Sequence, residues 1–204
     1  MLVLSFCFNT LVVTYFNIYR AIRAALLDLS GTAVSLTHCC PEFVGPGIGK
    51  SGYQSSAEFA DAVGAKYQSF VDDAYVVGQR LESKGLLRGL SGTRLGDYVD
   101  RRSAIRLKGF LDSEGISEGA GSLIQMNRYL RDPAGTSLYV RPDVYIPSAS
   151  RIFDATVGYK SYNDVQIQRF NEFSGGSYIT NVRPSTSPLG GSYSFDPNLF
   201  QKGN

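Results

Sequence analysis

The chain has 204 residues, enough to bury one solid core or two small ones. With 43% hydrophobic, 12% aromatic and 19% charged residues, its composition excludes wholesale disorder. A net charge of +2 is too small to argue for nucleic-acid binding by itself, and the single histidine, His38, excludes Ser-His-Asp, Cys-His and histidine-metal mechanisms from the C-terminal half.

Residues 1–30 form an apolar segment that reads as helical and continues through Arg20 and Arg23. The run Met1 to Phe16, nearly all apolar but interrupted by Ser5, Asn9, Thr10 and Thr14, is slightly short for a membrane span, and no Lys or Arg precedes Arg20 as a secretory signal would require. Three readings stay open: a membrane-associated helix, a helix packed on the rest of the protein, or an upstream segment carried along by the choice of start codon. The three cysteines, Cys7, Cys39 and Cys40, are odd in number and include a vicinal pair, which is no disulfide framework. With one histidine they also supply too few ligands for a zinc site, so His38-Cys39-Cys40 reads as a loop rather than a soft-metal grip.

Residues 31–54 are a Gly/Pro linker by composition. Within it Gly45-Pro-Gly-Ile-Gly-Lys-Ser51 superficially suggests a phosphate loop. The required first glycine would fall at Val44, and no strand-like run precedes it, so a hinge is the better reading. Residues 55–94 are a helical region. Ser55 or Ser56 serves as cap, Glu58 sits in the first turn, and Phe59, Val63, Tyr67, Phe70, Val71, Tyr75 and Val77 recur at helical spacing up to Lys84-Gly85. A second helix is predicted over 97–113 and a shorter one over 121–130, ended by Asp132-Pro133.

From Leu138 the period becomes that of strands, with predicted strands at 138–146, 151–160 and 178–183 and a helix at 164–173 between the last two. The first two strands are expected to pair as a hairpin. The fold class is therefore α/β (α+β): N-terminal helices followed by a small mixed sheet flanked by helices, with residues 95–204 as the functional domain.

The strand 151–160 carries the chemistry. Side chains alternate along a strand, so Phe153, Ala155, Val157 and Tyr159 share an apolar face while Asp154, Thr156, Gly158 and Lys160 share a polar one. The preceding strand brings Arg141-Pro-Asp143, and pairing as a hairpin would carry Asp143 to Asp154. Two carboxylates with waters suit a divalent ion, Mg²⁺ above all, and Lys160 would orient a nucleophile or neutralise developing charge. The bland reading is a solvated strand face with a weak surface ion pair.

Five segments in order, Tyr98-Val-Asp-Arg-Arg102, Gly121-Ser-Leu-Ile-Gln-Met-Asn-Arg-Tyr-Leu-Arg-Asp-Pro133, Leu138-Tyr-Val-Arg-Pro-Asp-Val144, Phe153-Asp-Ala-Thr-Val-Gly-Tyr-Lys160 and Ile179-Thr-Asn-Val-Arg-Pro184, resemble a C-terminal toxin module. Such modules end filamentous-haemagglutinin-like, contact-dependent growth-inhibition proteins and other polymorphic bacterial toxins. The chain is similar to their restriction-endonuclease-like group, divergent relatives of the PD-(D/E)XK fold. The resemblance implies a metal-dependent endonuclease, a hydrolase acting on DNA or tRNA. It implies secretion or cell-surface delivery as part of a larger carrier protein, action in the target-cell cytoplasm, and a cognate immunity protein in the producer.

Position by position, the resemblance makes Asp143 the first acid, Asp154 the second and Lys160 the lysine, with Asp143 and Asp154 as metal ligands. Thr156 stands where stricter members carry Lys or an acid. Glu118 is a candidate helix-borne acid or a plain cap. Gln166 and Gln168 follow on a helix, as substrate-contacting or solvent-facing residues. Arg141 and Arg183 meet phosphates or rim the sheet. The rival reading is a non-catalytic interaction module that kept the fold without the chemistry, favoured by Thr156. A third is a toxin acting on membranes through residues 1–29.

Overall fold

The computed structural model describes residues 48–87 and 94–200. The apolar segment 1–30 and most of the linker, including His38, Cys39 and Cys40, lie outside the described residues. Residues 44–204 form one compact unit.

Three helices and seven short strands make up the described fold. Helix α1 is Ser56–Ser83 and α2 is Arg94–Glu114. The strands β1 Gln125–Met126, β2 Leu130–Arg131, β3 Tyr139–Val140, β4 Val144–Ile146 and β5 Arg151–Ala155 follow. Helix α3, Val165–Ser174, then leads to β6 Tyr178–Val182 and β7 Tyr193–Phe195. Five strands form one mixed sheet in the order β1-β4-β5-β6-β7, and β2 with β3 forms a separate two-stranded ribbon. The mixed α-plus-β class and the β4–β5 antiparallel hairpin agree with the sequence, whereas β5 and β6 run parallel, joined through α3.

Helix α1 begins where expected: the Ser55 side chain accepts from the Glu58 N–H, and the Glu58 carboxylate accepts from the Gln54 N–H. Phe59, Val63, Tyr67 and Val71 are buried on its inner face. They pack with Val99, Leu107 and Leu111 of α2 and with Val144, Ile146, Phe153 and Val182 of the sheet in one core. The other sheet face carries Ile152, Ile179 and Phe195 against Ile167 and Phe170 of α3, together with Val140 of the ribbon. Helices thus cover both faces, which is why β5 is buried along its centre instead of alternating in and out.

Three elements depart from the sequence-based expectation. Residues 121–130 are not a helix. Gly119, Gly121 and Asn127 adopt positive φ, and the segment folds as turns, β1 and the start of β2, with Glu118 bridged to Ile124. Residues 138–146 are split between two sheets at Arg141-Pro142-Asp143, where proline offers no N–H to a ladder. The strand expected over 151–160 stops at Ala155, because the Thr156 hydroxyl accepts the Gly158 N–H and turns the chain. At the linker's end, Ile48 bridges Tyr53, and the Ser51 N–H and hydroxyl both donate to Glu114 on α2. That turn is occupied by a carboxylate, in keeping with a hinge and not a phosphate cradle.

Gly64 on α1 faces Phe153; a Cβ there would lie 2.6 Å from the Phe153 ring. Gly109 on α2 has open space around it. Alanine favours a helix over glycine by about 1 kcal/mol, and overpacking costs about 1–3 kcal/mol. Gly109→Ala should therefore raise stability by about 0.5–1 kcal/mol in urea titrations, and Gly64→Ala should lower it by about 1 kcal/mol despite its better helix propensity. Equal gains at both positions would show that Phe153 does not pack on α1 as described.

Candidate active site

The register across the sheet builds the site. Val144 pairs with Phe153 and Asp154 pairs with Asn181, while Asn181 pairs with Tyr193. One step before Val144, Asp143 stands opposite Asp154, and the Asn127 N–H donates to the Asp143 carbonyl. A row of polar residues therefore crosses four adjacent strands at one level. It lies at the carboxyl ends of the parallel pair β5 and β6, beside the N-terminus of α3, where open α/β sheets leave a crevice.

Asp143 and Asp154 are 8% and 3% exposed, so the reading of a solvated strand face does not describe them. The Asp143 carboxylate accepts through Oδ2, from the Ala155 N–H at 2.6 Å and from the Tyr67 hydroxyl at 3.2 Å. Asp154 takes an ion pair from the Lys160 ammonium at 2.5 Å. Lys160 also donates to Gln166 Oε1 at 2.9 Å, and Gln166 Nε2 reaches Asp154 Oδ1 at 3.5 Å. Burial pushes the Asp143 carboxyl well above the ordinary range, and the charges of Asp154 and Asp100 push it further. Burial also raises Asp154, opposed by the adjoining Lys160.

Asp100, from α2, is a member of this cluster that sequence reasoning did not single out, although it sits within the segment Tyr98-Val-Asp-Arg-Arg102. Its charge and that of Asp143 act on one another, and its Oδ1 is buried without a donor. Burial raises its pKa, and the Arg141 charge lowers it. Helical spacing was the available signal: Asp100 precedes the buried Ser103 and Leu107 by three and seven residues and so shares their face. The same spacing places Asp97 on that face, so it does not single out one acid of α2.

Lys160 arrives by a different route from strand alternation. It lies beyond the turn at Thr156, and the Tyr193 hydroxyl holds its backbone, accepting the Lys160 N–H at 2.6 Å and donating to the Lys160 carbonyl at 2.9 Å. Asn181 Nδ2 donates to the same hydroxyl at 3.0 Å. Gln166 joins the group from the first turn of α3. Glu118 does not: it pairs with Lys108 of α2 at 2.7 Å. Thr156 is engaged in its turn. Gln168 donates to the Tyr162 carbonyl at 2.6 Å. Arg141 is exposed on the chain leading to Asp143. Arg183 is 2% exposed, lies over the Tyr193 ring and donates to Ser187 at 3.4 Å, with its Nε unpartnered.

Among the described residues, no three His, Cys, Asp or Glu side chains converge closely enough to cage a metal ion. Magnesium does not need such a cage, being held by one or two carboxylates, waters and substrate phosphates. The hard oxygen donors of Asp143 and Asp154, with the donorless Oδ1 of Asp100 close by, are of the right chemistry for it. The chain matches no family model, no curated protein and no solved structure.

The raised carboxyls carry a pH signature. The folded chain keeps the Asp143 and Asp154 protons to higher pH than the unfolded chain, whose ordinary carboxyl value is 3.8. Their contribution to stability is full below 3.8 and is lost as pH rises through the raised folded values. Asp143→Asn keeps an acceptor for Ala155 and Tyr67 while removing the charge. It should melt higher than the parent at pH 7 by about 2–4 °C, the scale of about 1 kcal/mol in a domain of this length, with the difference vanishing near pH 3.5. A variant that melts lower at pH 7 would contradict the buried like-charge cluster.

Proposed function

We propose that this protein is a metal-dependent endonuclease toxin that hydrolyses phosphodiester bonds in the DNA or tRNA of a competing bacterial cell. The observation that supports it most is the buried pair Asp143 and Asp154 at one level of the sheet, with the Lys160 ammonium 2.5 Å from Asp154. A restriction-endonuclease-like arrangement, delivery from a larger secreted carrier and neutralisation by an immunity protein belong to the same proposal and rest on the order of the sequence motifs.

Asp143 and Asp154 would hold the divalent ion, Mg²⁺ by preference. When bound, the ion supplies Lewis-acid chemistry and a neutral-pH nucleophile at the phosphoryl group. Lys160 favours the ionised form of Asp154 against the effect of its burial, and places a positive charge where the phosphorane charge develops. Gln166 fixes the Lys160 ammonium through its Oε1, so the cation is aimed before substrate arrives. Tyr67 and the Ala155 amide hold Asp143 through its Oδ2, which leaves its carboxylate little freedom.

A non-catalytic interaction module is the second reading, favoured by Thr156, whose hydroxyl is committed to a turn where stricter nucleases carry a lysine or acid. Incubating the full chain with plasmid and with total tRNA, with and without chelator, separates the two. We expect cleavage that chelator abolishes, and a loss of at least about 10²–10³-fold in Asp154→Ala and Lys160→Ala, the scale for removing one charge-stabilising group. Both variants must first be shown folded, since breaking a buried ion pair costs about 3–5 kcal/mol. Intact nucleic acid under all conditions, together with harmless expression in bacteria, favours the interaction module.

A further inference from the structure

The ribbon of β2 and β3 has an inner and an outer side. Leu130 pairs with Val140, and these two pack inward on the core beneath α3. Arg131 pairs with Tyr139, and both are exposed. Continuing the same register, Tyr129 stands opposite Arg141, again both exposed. Two tyrosines and two arginines therefore alternate on one outward face. Tyr129 and Tyr139 are 58% and 54% exposed, and their rings meet edge to face with centroids 4.7 Å apart.

Large aromatic rings in water on a charged ribbon do nothing for this core, because Leu130 and Val140 already supply the inward contacts. Residues 128–142 contain three arginines and one acid, Asp132, which is turned into its own loop by the Ala134 N–H and the Thr136 hydroxyl. Neither Arg131 nor Arg141 has a carboxylate within ion-pair distance among the described residues. The face is thus positive, aromatic and free of acids, which complements a phosphate strand whose bases are unstacked. A duplex keeps its bases stacked inside and would meet only the arginines.

The ribbon also leads into the carboxylate site. Asp143 follows Arg141 by two residues, about 7 Å of extended chain. The Arg141 charge is felt at Asp100, so the two features share one electrostatic neighbourhood.

We propose that the outward face of the β2–β3 ribbon, formed by Tyr129, Arg131, Tyr139 and Arg141, is a platform for unpaired nucleotides flanking the scissile bond. This rests on the nuclease reading and narrows it: the substrate is single-stranded nucleic acid or an unpaired loop, not intact duplex. The tyrosines stack on bases, and the arginines contact phosphates.

The test is binding without chemistry. The full chain, in chelator, is titrated into a labelled single-stranded 12-nucleotide oligonucleotide and into the same sequence as a duplex, read by fluorescence anisotropy. Single strand should bind more tightly than duplex. Tyr129→Ala/Tyr139→Ala should weaken single-strand binding at least about 10-fold, on the scale known for base–aromatic stacking, and leave duplex binding within about two-fold. Tyr129→Phe/Tyr139→Phe should restore the affinity. Arg131→Ala/Arg141→Ala should flatten the salt slope by about 0.7 for each phosphate that is no longer neutralised. Equal affinity for both forms, or a tyrosine-to-alanine variant that binds as the parent does, overturns the platform. Absence of cleavage with tyrosine-dependent single-strand binding intact upholds the platform and rejects the nuclease, so the two failures are distinguishable.

Discussion

Two buried carboxyls, Asp143 and Asp154, meet the half-buried Asp100 and Lys160 in one corner of this protein, and most of its local structure answers to that imbalance. In a low-dielectric setting neighbouring acids cannot all ionise cheaply, so each is held by donors or keeps its proton. Asp143 takes a backbone amide and a tyrosine hydroxyl, Asp154 takes Lys160, and Asp100 leans on Asp143 and the nearby Arg141. A purely structural buried cluster would gain more from apolar replacements of similar volume, which is why such an arrangement points toward function.

Holding Lys160 in place takes several separate elements. The turn at Thr156 takes the chain out of the sheet, the Tyr193 hydroxyl grips the Lys160 backbone on both sides, and Gln166 on α3 orients the ammonium. The segment after β6 is anchored to α1 as well: Gln68 donates to the Arg183 carbonyl, and Asp72 accepts from the Ser185 amide and hydroxyl. Helix α1 is therefore part of the same unit as the sheet, packed on β5 through Gly64 and bonded to Asp143 through Tyr67. Covering both sheet faces leaves the strand ends as the place where polar groups converge.

Much of the architecture was legible in the amino-acid order. The long helix was evident from Phe59, Val63, Tyr67 and Val71 and its serine cap, and the hairpin from two β-rich runs around Pro147 and Ser148. Misreadings came where short-range signals competed. Residues 121–130 have helix-like apolar spacing, but glycines at positive φ and the bridge of Glu118 to Ile124 hold them as turns and strands. Strand β7 was invisible because Tyr193 and Phe195 lie among Gly, Ser and Pro residues that read as loop; only pairing with β6 makes a strand of them.

Sequence alone determined that Asp143 and Asp154 belong together, because hairpin pairing follows from the local β-pattern and a two-residue side-chain period. It also determined that any chemistry in the C-terminal half proceeds without histidine. Tertiary structure decided the rest of the site: that Asp100 is the helix acid in the cluster, that Glu118 goes to Lys108, and that Lys160 returns to Asp154 through a turn. Those outcomes depend on how α2, α3 and β7 pack around the sheet, and packing between distant segments leaves no periodic mark on the residues that come to touch.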